Sequence, residues 1–173
     1  MEVTEAIKSN RSVREFSDQP VSRADIERII DAGRRSGSAK NRQPWQFIVA
    51  TERATLQALS ACGPWCAHLA GAAFGVVLVV ENLREPPTLT TPFDLGRASQ
   101  NMILAGWEIG VMSCMATIYE PDRARDALGI PHHMDVPWAI SFGYPRPEAD
   151  PRQRPPRKDG RQPFDAVVHW DRW

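Results

Sequence analysis

Between Pro145 and Pro163 the chain reads PRPEADPRQRPPRKDGRQP, which places six prolines, five arginines and one lysine in 19 residues. Each proline fixes φ and removes a backbone donor, so this stretch is too polar and too Pro-rich to hold regular structure. FDAVVHW at 164–170 then reads as a strand again, followed closely by Trp173. A stiff polar arm of this kind delivers its strand to a distant place. Trp170 and Trp173 would lie exposed on a fraying tail, so they are expected to be docked. The chain therefore divides into a single domain over 1–150 and a C-terminal arm over 151–173.

The remaining composition is that of a globular protein, with 42% hydrophobic and 24% charged residues in a chain of 173. Twenty-one basic and 21 acidic side chains cancel, so the overall charge offers no pull toward nucleic acid or an anionic membrane. LAGAAFGVVLVV at 69–80 spans only 12 residues, where a membrane helix needs about 20. No leader pattern opens the chain, and a cytoplasmic location is the expectation. Three cysteines, Cys62, Cys66 and Cys114, are an odd number and argue for reduced thiols rather than a disulfide framework.

Periodicity predicts a short helix over 3–10 and a second over about 23–35. The second is capped by Ser22 with Asp25 and carries Ile26, Ile29, Ile30 and Gly33 on one stripe. WQFIVAT at 45–51 predicts a strand, 52–61 a helix, FGVVLVVE at 74–81 a buried strand and PPTLTTPF at 86–93 a loop. From Asp94, the spacing of Leu95, Ala98, Met102, Ala105 and Ile109 predicts the longest helix, over 94–109. A strand at 111–117, a helix from Pro121 and a strand at 136–144 complete an alternation that points to a mixed αβ domain.

Three constellations could hold a polar ligand. Arg11, Ser12 and Arg14 in NRSVREF place two forked guanidiniums around a hydroxyl, which suits a phosphate but equally a solvated turn. In GSAKNRQPW, Gly37 and Ser38 permit a tight turn, and Asn41 and Gln43 each carry a donor and an acceptor; a polar turn ahead of an ordinary core Trp45 is the plain alternative. Arg152, Arg154, Arg157, Lys158 and Arg161 gather positive charge on the arm, either for an anion or as a solvated tail. CGPWC at 62–66 separates its cysteines by three residues, and no strand leads into it, which argues against a dithiol centre. His68, His132, His133 and His169 show no zinc spacing, and no nucleophile elbow, P-loop or dinucleotide-binding glycine turn is present.

Taken in order, RSVREF, GSAKNRQPWQFIV, FDLGRASQNMILAGWEIGVMSC, SFGYP and GRQPFDAVVHWDRW resemble the nitroreductase family of FMN-dependent NAD(P)H oxidoreductases over nearly the whole chain. The resemblance implies an α+β fold with a mixed central sheet flanked by helices. It also implies an intertwined homodimer with a flavin site at each interface, and a C-terminal strand exchanged onto the partner's sheet. By position, Arg11, Ser12 and Arg161 would contact the FMN phosphate, and Arg14 would lie near the pyrimidine edge of the flavin. Gly37, Ser38, Ala39 and Asn41 would reach the flavin from the partner subunit, with Gln43 beside them. Thr117 and Ile118 match the stretch whose backbone amide lies near flavin N5, and Trp65 and His68 are candidates for lining the pocket. The implied reaction is ping-pong, from NADH or NADPH through N5 to a small-molecule acceptor such as a nitroaromatic, quinone or activated alkene. The alternative on the same fold is a catalytically silent flavin-binding or sensing module. No side chain is expected to act as a dedicated catalytic acid or base.

Overall fold

The computed structural model of the chain describes residues 1–81, 83, 90–153 and 160–173. Its organising element is strand β2 (Phe74–Glu81), seven of whose eight residues are buried. A strand covered on both faces needs an unbroken apolar run, and FGVVLVV supplies one. β2 pairs on one side with β1 (Gln46–Ala50) and on the other with β4 (Met134–Gly143), which in turn pairs with β3 (Met112–Thr117). The order is β1-β2-β4-β3, and all three pairings are antiparallel. The α+β fold is thus as the motifs imply; within the described chain the sheet has no parallel pair, so a mixed sheet requires a strand from elsewhere.

Helices cover both faces. Val76, Leu78 and Val80 of β2 pack with α2 (Arg23–Arg34) and α4 (Thr90–Glu108) in one cluster that includes Ile29, Leu95 and Met102. Val77 and Val79 turn to the other face, toward α3 (Arg53–Ser60) and α5 (Pro121–Leu128). α2 begins where the cap predicts, with the Ser22 hydroxyl accepting the Asp25 amide at 3.1 Å. At Gly33, α2 comes so close to α4 that a Cβ would stand 2.7 Å from Met102 Cγ.

Two expectations need correction. α4 begins at Thr90, not Asp94: Pro92 falls in its first turn, where a missing N–H leaves nothing unsatisfied. Of the loop expected over 86–93, residues 86–89 lie outside the described residues. The strand expected over 164–170 is instead a one-turn helix, α6 (Phe164–Val167). With no strand beside it, its backbone is satisfied locally: Val168 N–H bonds Phe164 C=O and Ala166 N–H bonds Pro163 C=O, both at 3.0 Å. Phe164, Val167, Trp170 and Trp173 are left 63%, 56%, 77% and 100% exposed.

Residues 11–17 follow α1 (Val3–Ser9) and are laced to the outer edge of the sheet. Val13 N–H donates to Ser113 C=O at 2.9 Å, Ser17 N–H to Tyr144 C=O at 2.8 Å, and Arg146 N–H to Glu15 C=O at 3.1 Å. Val13 and Phe16 are buried and anchor the segment, while Arg11, Ser12 and Arg14 stay exposed. Phe16 lies flush on Gly143, where a Cβ would come within 2.9 Å of its ring. Phe16→Ala should therefore lower unfolding stability by about 3–5 kcal/mol, measured by denaturant titration; a loss below about 1 kcal/mol would mean the ring is not an anchor.

Candidate functional site

One group of implicated residues lies along the free edge of β3. Ile118 N–H donates to Pro137 C=O at 3.0 Å, while Ser113 C=O turns the other way to accept Val13. Antiparallel pairing alternates in this way, so even-numbered residues of β3 bond β4 and odd-numbered ones face the outer edge. Thr117 N–H therefore points outward. Of the two amides proposed from the motif, that of Ile118 is committed to the sheet and that of Thr117 is turned to the edge. Opposite this point β4 carries an irregularity between its pairings with Leu78 and Val80, where Pro137 has no donor to contribute.

The loop 61–66 is fastened to the end of β3. Tyr119 and Glu120 N–H both donate to Cys62 C=O, at 2.9 and 3.0 Å, and the Cys66 thiol donates to Thr117 C=O at 3.4 Å. Trp65 and Tyr119 remain 68% and 59% exposed beside it. Burial raises both Cys62 and Cys66, the latter to about 11. Thiols held that high are poor nucleophiles, so the loop offers aromatic surface rather than sulfur chemistry.

Beneath Arg14 and Ser12 lies a buried polar set. His68 Nδ1 and Ser141 Oγ are 2.7 Å apart, and the Ser141 hydroxyl donates to Cys114 C=O at 3.3 Å. Burial raises the Cys114 thiol, opposed by the Arg14 charge and the Ser12 hydroxyl. Burial, reinforced by the Arg14 charge, pushes His68 down to about 4, so it is neutral at pH 7 and adds no charge against Arg14. Arg14 forms no ion pair among the described residues. Arg11 Nη1 donates to Lys8 and Asn10 C=O at 2.8 and 2.7 Å, which closes the end of α1. Arg152, first in the basic arm, is taken by the buried Asp150 at 2.9 Å; Arg161 is exposed, and Arg154, Arg157 and Lys158 lie outside the described residues.

The second group is the loop 36–45, ahead of β1. Lys40, Asn41 and Gln43 have φ of 52°, 53° and 50°, left-handed values that side chains rarely adopt. Asn41 and Gln43 are exposed, and the Ser38 hydroxyl accepts Gln43 N–H at 2.9 Å. The loop rests on the start of α4, where Asp94 accepts Ala39 N–H at 3.0 Å. The other end of α4 holds the first group, since Trp107 Nε1 donates to Ser9 Oγ at 2.9 Å. Thirteen residues of helix separate these two attachments, about 20 Å at 1.5 Å per residue. The sheet gives the same answer, because the loop enters β1 and the first group borders β3, at opposite edges. The two groups do not converge within one chain.

The sequence reading missed what holds the loop. Thr90, Asp94, Arg97 and Asn101 share one face of α4, and their spacing could have been read beside the apolar stripe. Among the described residues no cluster of three or more His, Cys, Asp or Glu side chains could hold a metal, and no helix is long and apolar enough to cross a membrane.

The fold and sequence are similar to those of known oxidoreductases. The nitroreductase family model matches residues 7–75. A relative from Archaeoglobus fulgidus, provisionally named an NADH dehydrogenase/NAD(P)H nitroreductase, is 32% identical over 158 residues, covering 86% of this chain and 88% of that one. A similarly named crystal structure from Parabacteroides distasonis superposes with a TM-score of 0.84 at 26% identity over 98% of both chains. An FMN-dependent nitroreductase of Clostridium difficile shares the fold, with a TM-score of 0.85 at 22% identity, covering 99% of this chain and all of that one. The chain belongs to the nitroreductase family, and it is an oxidoreductase of that family.

The depressed His68 makes stability depend on pH. An unfolded His titrates near 6.5, the folded one at about 4, so the folded state binds fewer protons between these values. Stability is then complete above pH 6.5 and falls toward pH 4, by up to about 3 kcal/mol. Denaturant titrations from pH 7 to 4 should show this slope in the native protein and lose most of it in His68→Gln. An equal slope in both would place the acid sensitivity elsewhere.

Proposed function

We propose that two copies of this chain bind FMN between them, and that the protein is an NAD(P)H oxidoreductase that reduces a nitroaromatic, quinone or activated alkene. The observation that carries this reading is the separation of the two groups: the arginine edge of one chain lacks the loop, and a second copy can supply it. The donor chemistry fits FMN. Arg11 offers a forked guanidinium, and Ser12 a hydroxyl, to a phosphate, which Arg161 would complete. Arg14, an exposed guanidinium with no carboxylate partner among the described residues, would favour a ligand edge that gains negative charge. Thr117 N–H is the outward donor at the far end of the same edge. Asn41 and Gln43 of the second copy would add paired donors and acceptors.

FMN, once bound, would supply hydride transfer at N5, with NADH or NADPH as donor and the organic acceptor as recipient. The protein's part is to hold, orient and polarise. The name of the Clostridium difficile neighbour supports FMN, and the names of the Archaeoglobus and Parabacteroides relatives support the nicotinamide donor. The C-terminal arm would cross to the second copy, where Phe164, Val167, Trp170 and Trp173 would find cover. Among the described residues β1 is an outer strand with no strand on its far side. Beside it, Ile26, Ile30 and Val49 floor an open groove under α2. There the one-turn helix α6 would exchange local bonds for strand pairing.

Titration with FMN, followed by anaerobic addition of NADH and then NADPH, tests the reading. Flavin absorbance should appear and bleach with at least one nucleotide. Arg14→Ala should weaken FMN binding at least about 10-fold, or about 1.4 kcal/mol. Asp126→Ala, at an exposed position of α5 away from both groups, should change it less than about 2-fold. Failure to bind FMN would overturn the proposal; binding without bleaching would move it to a flavin-binding module without turnover.

A further inference from the structure

α4 is largely apolar, yet it carries Thr90, Asp94, Arg97 and Asn101 at helical spacing on one face. Each meets the loop in turn. Arg42 Nη2 donates to Thr90 Oγ1 at 2.6 Å, Ala39 N–H to Asp94 Oδ2 at 3.0 Å, and Asn101 Nδ2 to Ser36 Oγ at 2.7 Å. Between them Gly37 packs against Arg97, where a Cβ would stand 3.1 Å from Cζ. The loop thus runs antiparallel to the helix, fastened at successive points.

Asp94 occupies the critical point. Its carboxylate is 2% exposed, with Arg97 3.8 Å away as the nearby charge. A carboxylate taken out of water is costly unless it is paired and hydrogen-bonded, and the Ala39 amide is its hydrogen-bonded partner. That amide immediately precedes the left-handed residues Lys40, Asn41 and Gln43, a conformation that persists only when its surroundings impose it.

We infer that Asp94 is a positioning residue: by holding the Ala39 amide it fixes the left-handed run that turns Asn41 and Gln43 outward toward the flavin of the second copy. The inference rests on the proposed flavin site. Asp94 acts through the loop and is not placed against the ligand itself.

Limited trypsin digestion reads the loop without reference to flavin, because Lys40 and Arg42 are exposed cleavage sites within it. Asp94→Ala should be cut at Lys40 and Arg42 at least 10-fold faster than the native protein, and should bind FMN at least 10-fold more weakly. Asp94→Asn keeps an oxygen that accepts from Ala39 and should stay within about 3-fold on both measures. Ala39→Pro removes the same donor from the loop side and leaves α4 untouched; the extended Ser38 before it (φ −138°, ψ 156°) tolerates proline. This variant should reproduce Asp94→Ala even if the latter folds poorly.

A merely structural role would raise cleavage at all lysines and arginines together, so equal acceleration throughout the chain overturns the inference. Faster loop cleavage with unchanged FMN affinity also overturns it. If the native protein binds no FMN, the flavin reading has failed, and the positioning role falls with it. Selective cleavage would then still establish the contact between Asp94 and the loop.

Discussion

The length of α4 is the constraint on which the rest of the site depends. Its N-terminal half holds the loop that presents Asn41 and Gln43, and Trp107 near its other end holds Ser9, two residues before Arg11. A rigid helix fixes this separation, and packing between α2 and β2 prevents α4 from bending to close it. A ligand needing both groups cannot be served by one chain. Two copies related by a twofold axis satisfy the need reciprocally, because each brings an arginine edge and a loop.

Charge follows the same plan. Interior groups near the arginine edge are kept neutral: His68 by burial beside Arg14, and Cys62, Cys66 and Cys114 by burial of their thiols. Arg14 then stands as a positive charge on an edge whose interior support is uncharged. In a chain with no net charge, the proposed preference for an anionic ligand would rest on this local arrangement rather than on the overall field.

The elements most legible in the sequence were those whose signals are local. FGVVLVV reads as a buried strand, Ser22 with Asp25 marks the start of α2, and Pro121 marks that of α5. What stayed hidden depended on distant partners. Pro92 reads as a breaker unless the first turn of a helix is already known to contain it. FDAVVHW carries strand propensity, but a strand exists only beside another, and the lone chain folds part of it as a helical turn. The choice between Thr117 and Ile118 followed from the alternation of β3 against β4, which no motif encodes. The polar face of α4 was overlooked because apolar spacing dominated the reading of that helix.

Mixed dimers separate a site that takes its arginine edge from one chain and its loop from another from a site built within one chain. Arg14→Ala and Asn41→Ala chains, separately tagged, would be prepared alone, then unfolded and refolded together, and the doubly tagged species isolated. One of its two interfaces then carries both lesions and the other neither. The account predicts that this species binds one FMN per two chains with native affinity, although each variant alone binds weakly. If the mixed dimer binds no better than its parents, both groups act within a single chain and the account is wrong.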